Sequence, residues 1–465
     1  MASLKALFTA RDMTQGTPWK RIIEFSIPLL IGNVVQQFYN TADSIIVGIY
    51  IGDNALAAVG SAMPVLQLLL VFFVGISVGA GIQVSQYFGA KDRSNLSHTI
   101  GTCITLTGLT SVVIMVIGPL VRKPLLGFLN TPPSIIEWCA DYLSILFIGS
   151  AGSLFYNIFS GILRGLGDSA SALLFLVVST MLNVVLDIWF IAGLGLGVPG
   201  VALATAIAQA FSAVLCLLKL MKMKEHFDLG WRLLKPGKEL TIRLIRLGLP
   251  SGLTQAIFSF AVIAVQSLTN SFGEMVIACN VIVMRIDGFA MMPNFSFGSA
   301  MTTFAGQNIG AKRHDRVLQG ARDGTRMAVS VATVITIGIL LFGRHLMNIF
   351  TTTEELVSLS MRMMRILAPG YIAMAITQCL AGVMRGVGDT VTPMWISIFT
   401  TIGLRVPIAY GIAYLTRSEL YPTGRPESVF ISLLIAWTLG AALTSVLYKR
   451  GKWRRETVRE AHAAN

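Results

Sequence analysis

Charge is what this sequence has least of. Asp, Glu, Lys and Arg together make up 13% of its 465 residues, against roughly 25% in soluble domains. Two or three ordinary globular domains could not cover their surfaces with so few, and disorder needs far more polarity than this. Cysteine is scarce as well. Cys103, Cys139, Cys216, Cys279 and Cys379 contain no CxxC pair, which excludes a secreted disulfide scaffold, and most lie in apolar runs where a thiol packs as a small hydrophobe. The five histidines show no HExxH or other metal-ligand spacing. The chain start has no signal-peptide core and cleavage site before Pro18.

What the chain does have is apolar length. Hydrophobic residues reach 54% and mean hydropathy is +0.71. At roughly 20 residues per span there is room for about twelve. The uncharged stretches predict helices at approximately 22–46, 56–84, 96–118, 135–157, 170–191, 200–219, 247–270, 278–304, 326–343, 360–382, 392–415 and 428–448. This is an all-α, multi-pass membrane protein.

The net charge of +13 then explains itself. Of 36 Lys and Arg, 27 fall on one side of that topology: in the N-terminal segment, in alternate loops, in the segment from Lys219 to Arg246 and in the tail. Arg122, Lys123, Arg344, Arg417 and Arg425 are on the other. Basic loops stay in the cytoplasm, so both termini are expected there, in a prokaryotic cytoplasmic membrane. The charge calls for a lipid bilayer around the protein and for no nucleic-acid partner.

The chain also contains itself twice. Gln86, Gly89, Ala90 and Lys91 return 221 residues later as Gln307, Gly310, Ala311 and Lys312. Arg164-Gly165-Leu-Gly167-Asp168 returns at the same interval as Arg385-Gly386-Val-Gly388-Asp389, and Pro28 is matched by Pro250. Each half has six spans, an even number, so both insert the same way up and are related by a pseudo-two-fold axis along the membrane normal. The expected order is an N-terminal segment (1–21), an N-lobe (22–219), a basic linker (220–246), a C-lobe (247–448) and a tail (449–465). Such duplication is characteristic of alternating-access transporters.

The stretch Phe25-Ser-Ile-Pro28-Leu-Leu-Ile-Gly-Asn33 through Tyr39-Asn40-Thr-Ala-Asp43-Ser-Ile-Ile-Val-Gly48 resembles the first helix of multidrug and toxic compound extrusion (MATE) transporters. So do Leu56-Ala-Ala-Val-Gly60, both Arg-Gly-x-Gly-Asp loops and Gly306-Gln-Asn-Ile-Gly-Ala-Lys312. The resemblance covers roughly 20–450. It implies two six-helix lobes around a V-shaped cavity, and efflux of organic cations or amphiphiles driven by H⁺ or Na⁺, with no other cofactor.

Charges inside spans are costly and face a bundle interior or a water-filled cavity. Asp43 shares a helical stripe with Gln36 and Asn40, bordered by Tyr39. Asp187 has Asn183 and Thr180 on its stripe, and Thr205 lies four residues from Gln209 in the next span. Oxygen-rich stripes of this kind could hold a proton or surround Na⁺ at Asp43 and Asp187; interhelical polar glue is the plainer reading for Thr180, Thr205 and Gln209. The archaeal and DinF-like branch carries this N-lobe set, and the match falls on Asp43, Asn183, Asp187 and Thr205. The NorM-like branch has acidic residues in its seventh and tenth helices, where this chain has none, so it is closer to the DinF-like type. Its C-lobe charges are Arg285, Asp287 and Arg405, for which interhelix pairing competes with function. Gln255, Ser259, Gln266, Met284, Met291, Met374 and Gln378 are candidates for a cavity wall.

The resulting expectation is an antiporter, and not an enzyme, since the sequence has no catalytic constellation, that acts as a monomer on small amphiphilic or cationic compounds. A flippase of lipid-linked precursors is the alternative, for which only Arg285 and Arg405 would meet phosphates. Gly195-Leu-Gly197-Val-Pro-Gly200 matches GxGxxG, but no strand precedes it, which excludes a dinucleotide site.

Overall fold

The computed structural model describes residues 11–128, 131–419 and 421–451; at 40, 42–44, 53, 56, 63–65, 67–72 and 128 it describes the backbone alone. The apolar runs fold as helices because a bilayer core offers no partner for backbone N–H and C=O, so each span must satisfy its own. In chain order these are α1 (Pro18–Tyr50), α2 (Asp53–Gly89), α3 (Arg93–Phe128), α4 (Ile136–Ile148), α5 (Ser150–Gly165), α6 (Ser169–Ile188) and α7 (Gly197–Lys222). The second half follows with α8 (Lys238–Ser271), α9 (Glu274–Gly310), α10 (His314–Asn348), α11 (Glu354–Leu367), α12 (Gly370–Gly386), α13 (Val391–Ser397), α14 (Val406–Leu415) and α15 (Glu427–Arg450). No strand occurs among the described residues.

Twelve spans result. Two of them are bent pairs, α4–α5 by 52° and α11–α12 by 44°. Gly149 separates the first pair, and Ala368-Pro369 the second, where proline cannot continue the backbone ladder. The fifth span of each half instead passes through a π-helical stretch: Trp189–Gly193 after α6, and Ile398–Arg405 between α13 and α14.

The helices are longer than the hydrophobic runs that predict them. At 33–37 residues, α1, α2, α3, α8, α9 and α10 are about 50 Å long and exceed a hydrocarbon core of about 30 Å. Their ends are polar, and hydropathy does not report them. The linker is corrected accordingly: α7 continues to Lys222 and α8 begins at Lys238, leaving 223–237 as the connector, with a short 3₁₀ turn at Trp231–Leu234.

Backbone conformation repeats with the sequence. Gly52 and Gly273 take φ of 104° and 94°, Lys91 and Lys312 both take 56°, and Gly167 and Gly388 take 87° and 103°. Each pair is 221 residues apart. At Lys91 the turn is a Schellman cap: Lys91 N donates to Phe88 O at 3.1 Å and Asp92 N to Tyr87 O at 3.0 Å. Lys312 and Arg313 repeat it on Ile309 and Asn308. The Arg-Gly-x-Gly-Asp loops are caps as well. Asp168 Oδ1 accepts from Ser171 N at 2.9 Å, and Asp389 Oδ1 from Thr392 N at 3.0 Å. Arg164 donates to Ser160 Oγ, so the arginine and aspartate of that loop serve separate bonds.

The chain divides into two compact units. One comprises Met1–Asp12, of which 11 and 12 are described, and Ile27–Gly252; the other comprises Met13–Ser26 and Leu253–Asn465. Both α1 and α8 therefore contribute to both units, changing at 26/27 and 252/253. In the first unit, small residues let backbones meet. A Cβ added at Gly79 would lie 2.7 Å from Gly248 N, and one at Gly161 would lie 2.6 Å from Ser77 O. In the second, Gly382 of α12 meets Gly298 of α9 in the corresponding way. Without a hydrophobic drive between helices in lipid, close approach of this kind holds a bundle together.

The segments that enter α1 and α8 are each held by an arginine. In the second unit, Arg316 donates to the carbonyls of Met13 (3.1 Å) and Gly16 (2.7 Å), while Met13 N donates to Gln307 Oε1 at 2.8 Å. In the first, Arg93 donates to both Asp228 oxygens (2.9 and 2.7 Å) and to the carbonyls of Lys224 and Glu225. The fork holds the Asp228 carboxyl below the usual carboxylate range. All five cysteines are buried and unpaired by disulfides.

Candidate functional site in the first unit

Three helices of the first unit bring polar groups together inside the span region. Asp187 is one residue short of the end of α6 and is fully buried, at 0% exposure. Asn183 is one turn earlier on the same face. Oriented by its neighbours, the Asn183 amide donates to Asp187 Oδ2 at 2.9 Å and accepts from Thr205 N of α7 at 3.2 Å. The same amide atom lies 3.4 Å from Thr205 Oγ1. Thr205 Oγ1 in turn is 3.5 Å from the hydroxyl of Tyr39 on α1. A carboxylate, an amide, a threonine hydroxyl and a phenol thus form one connected chain across α6, α7 and α1.

Of the expected set, Asn183, Asp187, Thr205 and Tyr39 meet. Asp43 and Asn40 are in α1, but their side chains lie outside the described residues. Thr180 turns its hydroxyl back on its own helix, donating to Leu176 O at 2.9 Å. Gln36 is half-buried. Gln209 is half-buried too, and its Oε1 accepts no hydrogen bond. Neither joins the chain of contacts.

The second unit carries the other charges. Arg285, on α9, is exposed. Asp287, on α9, is half-buried, with its Oδ1 enclosed and without a hydrogen bond; Arg405 is buried, and its Nε has no acceptor. On α8, Gln255 and Ser259 are exposed and Gln266 is partly so, its Nε2 donating to Asn270 Oδ1 at 2.8 Å. Met284 and Gln378 are also partly exposed. Met291 and Met374 are not wall residues: both are buried, at 5% and 4% exposure, because α9 and α12 pack those faces inward. No group of three or more His, Cys, Asp or Glu suited to a metal occurs among the described residues.

A helical membrane body built twice over, with polar residues buried inside its spans, has the architecture of a membrane transporter. The MatE family model matches it twice, at residues 28–189 and 250–411, once in each repeat. The chain belongs to the MatE family. It is 33% identical over 428 residues to a Bacillus subtilis (strain 168) protein named "Probable multidrug resistance protein YoeA", covering 90% of this chain and 92% of that one. It is 25% identical to the Thermotoga maritima protein named "Probable multidrug resistance protein NorM", with 94% of each covered. Among solved structures, one described as the outward-facing conformation of a multidrug resistance MATE family transporter superposes with a TM-score of 0.88 at 25% identity. That match covers 98% of this chain and 99% of the other.

Proposed function

We propose that this protein is a secondary antiporter that exports amphiphilic, often cationic compounds across the cytoplasmic membrane in exchange for H⁺ or Na⁺. The relatives are named for multidrug resistance, which supports export of such compounds. The observation that carries the coupling mechanism is the buried Asp187 carboxylate, bonded to Asn183, which reaches Thr205 and through it Tyr39. Carboxylate, amide and hydroxyl oxygens are hard ligands suited to a proton or a small cation. Asp43, on the same helix as Tyr39, completes the proposed set.

Exchange requires that the coupling ion and the drug favour different states, since a ligand shifts an equilibrium only through differential affinity. An ionised carboxylate attracts a cationic compound; a protonated or Na⁺-bound one does not. Loading from outside would then release drug there, and unloading inside would restore affinity. Beyond Glu239 in its first turn α8 carries no carboxylate, and α12 carries none, which supports coupling of the DinF-like rather than the NorM-like type. The biased placement of basic residues supports cytoplasmic termini.

The test is transport in proteoliposomes, with a pH gradient and a Na⁺ gradient applied separately. The gradient that drives the wild type identifies the ion. Asp187→Asn and Asp43→Asn each keep size and remove charge, and each is expected to abolish driven efflux while insertion stays near normal. Pumping at wild-type rates by both variants would overturn the mechanism.

A further inference from the structure

The connector 223–237 is anchored on one side and bare on the other. Phe227 is buried, at 1% exposure, in a core of the first unit that includes Ile100 and Cys103 of α3. Four residues on, Trp231 opens the 3₁₀ turn Trp231–Leu234 and is 91% exposed, more than any other large apolar side chain described. Leu229, between them, is exposed too. From 229 to 238 the chain carries three positive charges, Arg232, Lys235 and Lys238, and no negative one. All three are exposed, and none forms an ion pair among the described residues. An indole left in water beside unpaired cations is unfavourable in a segment that otherwise docks closely. Tryptophan is favoured where its ring meets lipid and its N–H meets the headgroups.

The position of this turn along α3 sets its depth. Asp228 N donates to Ser97 Oγ at 2.9 Å, and Thr105 Oγ1 donates to Leu234 O at 2.5 Å. Between them, a Cβ added at Gly101 would fall on Leu233 O. The connector therefore descends α3 from Ser97 to Thr105, about 12 Å. The exposed large apolar side chains of α3 begin one turn further on, at Leu109, and continue with Val112, Val113, Val116 and Ile117. On α8, Ile242 is exposed one turn after Lys238. Lipid-facing surface thus starts about 6 Å beyond the lower end of the connector. That places Trp231 and its cations at the level of the headgroup layer, which adds roughly 5–8 Å to each side of the hydrocarbon core.

We infer that the Trp231 turn is an interfacial anchor that binds anionic phospholipid headgroups of the leaflet it faces. The Trp231 ring enters the boundary between headgroups and acyl chains, and Arg232, Lys235 and Lys238 receive the phosphates. Charge complementarity selects this occupant: each Lys or Arg held near an anionic lipid surface strengthens attachment about fivefold. Continuity with the apolar surface of α3 selects it as well. Arg93 and Thr105 position the turn by holding the connector against the flank of α3. Neither export nor the identity of the coupling ion enters into this anchoring.

The test uses the full-length protein with p-benzoylphenylalanine in place of Trp231, in nanodiscs of equal phosphatidylglycerol and phosphatidylcholine. Illumination couples the benzophenone to whatever lies against position 231, and mass spectrometry identifies the adduct. Phosphatidylglycerol adducts are expected to exceed phosphatidylcholine adducts by about fivefold or more. Adding Arg232→Gln, Lys235→Gln and Lys238→Gln together should bring the ratio close to one. The same loss of charge at Lys312, Arg322 and Arg326, exposed residues of the second unit, should leave it unchanged. Lys235→Gln alone should lower the ratio part of the way, and it carries the comparison if the triple variant yields no folded protein. Equal adducts with the two lipids, or a ratio that the connector charges do not move, would overturn the inference. Adducts to a second copy of the chain would make that copy the occupant, and no adduct at all would leave the turn in water. Either result overturns it too.

Discussion

Gly382 offers the sharpest test of how the second unit is packed. It lies in α12 against α9. A Cβ at this position would fall on the carbonyl oxygen of Gly298, 3.2 Å from that residue's carbonyl carbon and 3.1 Å from Met301 Cβ. The obstacle is mostly backbone, which cannot swing aside as the tip of a long side chain can. Gly382→Ala must therefore push the two helices apart, and overpacking of this kind costs roughly 1–3 kcal/mol. At about 2–4 °C per kcal/mol for a body of 150–250 residues, the unfolding midpoint should drop by roughly 2–12 °C. Gly338→Ala in α10 is the control. A Cβ there meets nothing within 4 Å, and alanine is the better helix former by about 1 kcal/mol, so its midpoint should hold or rise. The assay is thermal unfolding of purified protein followed by intrinsic tryptophan fluorescence. If the two variants melt together at the wild-type temperature, the backbone contact is wrong.

Three further expectations concern other parts of the molecule. A reporter active only in the periplasm should be silent when fused after Lys449 and active when inserted near Pro422; the reverse pattern would refute twelve spans with cytoplasmic termini. Met374→Leu, a swap of similar volume at a buried site, should cost less than about 1.5 kcal/mol and leave transport largely intact, so a loss of efflux at normal stability would give Met374 a role beyond packing. The Asp228 carboxyl is held below its usual range by Arg93, so its contribution is complete above the unfolded value of about 3.9 and is lost only as pH falls through the lower folded value. Protection from hydrogen exchange at 224–228, taken relative to an unstructured peptide at the same pH, should accordingly be high at neutral pH, fall on strong acidification, and be low at pH 7 in Asp228→Asn; equal protection in wild type and variant would show that the clamp does not hold the linker.

Hydropathy made the twelve spans legible, since lipid leaves a long apolar run no alternative to a helix. It did not report the ends of α2 or α8, where polar residues continue the helix beyond the hydrocarbon. The bend at Gly149 and the break at Pro369 had visible signals, whereas the π stretch ending at Arg405 had none: its Thr-Thr-Ile-Gly interior reads as ordinary span sequence. Helical spacing sufficed to pair Asn183 with Asp187, because both lie on one face. Their junction with Thr205 and Tyr39 depends on packing between helices and needed coordinates. The burial of Met291 and Met374 is not legible for the same reason, as periodicity cannot say which face of a wholly apolar helix turns inward. The hold of Arg316 on Met13 and Gly16 joins residues some 300 positions apart, beyond the reach of any local pattern.

The exchange of helix segments between the units bears on how such a chain could have arisen. Residues 13–26 open the first half in sequence yet belong with the second unit, and residues 238–252 open the second half yet belong with the first. A half-length ancestor with the same packing would have lacked the start of its own first helix and would have had to borrow it from another copy. Its functional form would then be a segment-swapped dimer, and gene fusion would make that mutual dependence permanent. The same dependence should be visible today: polypeptides separated within 223–237 would each be incomplete alone and would become stable only when made together.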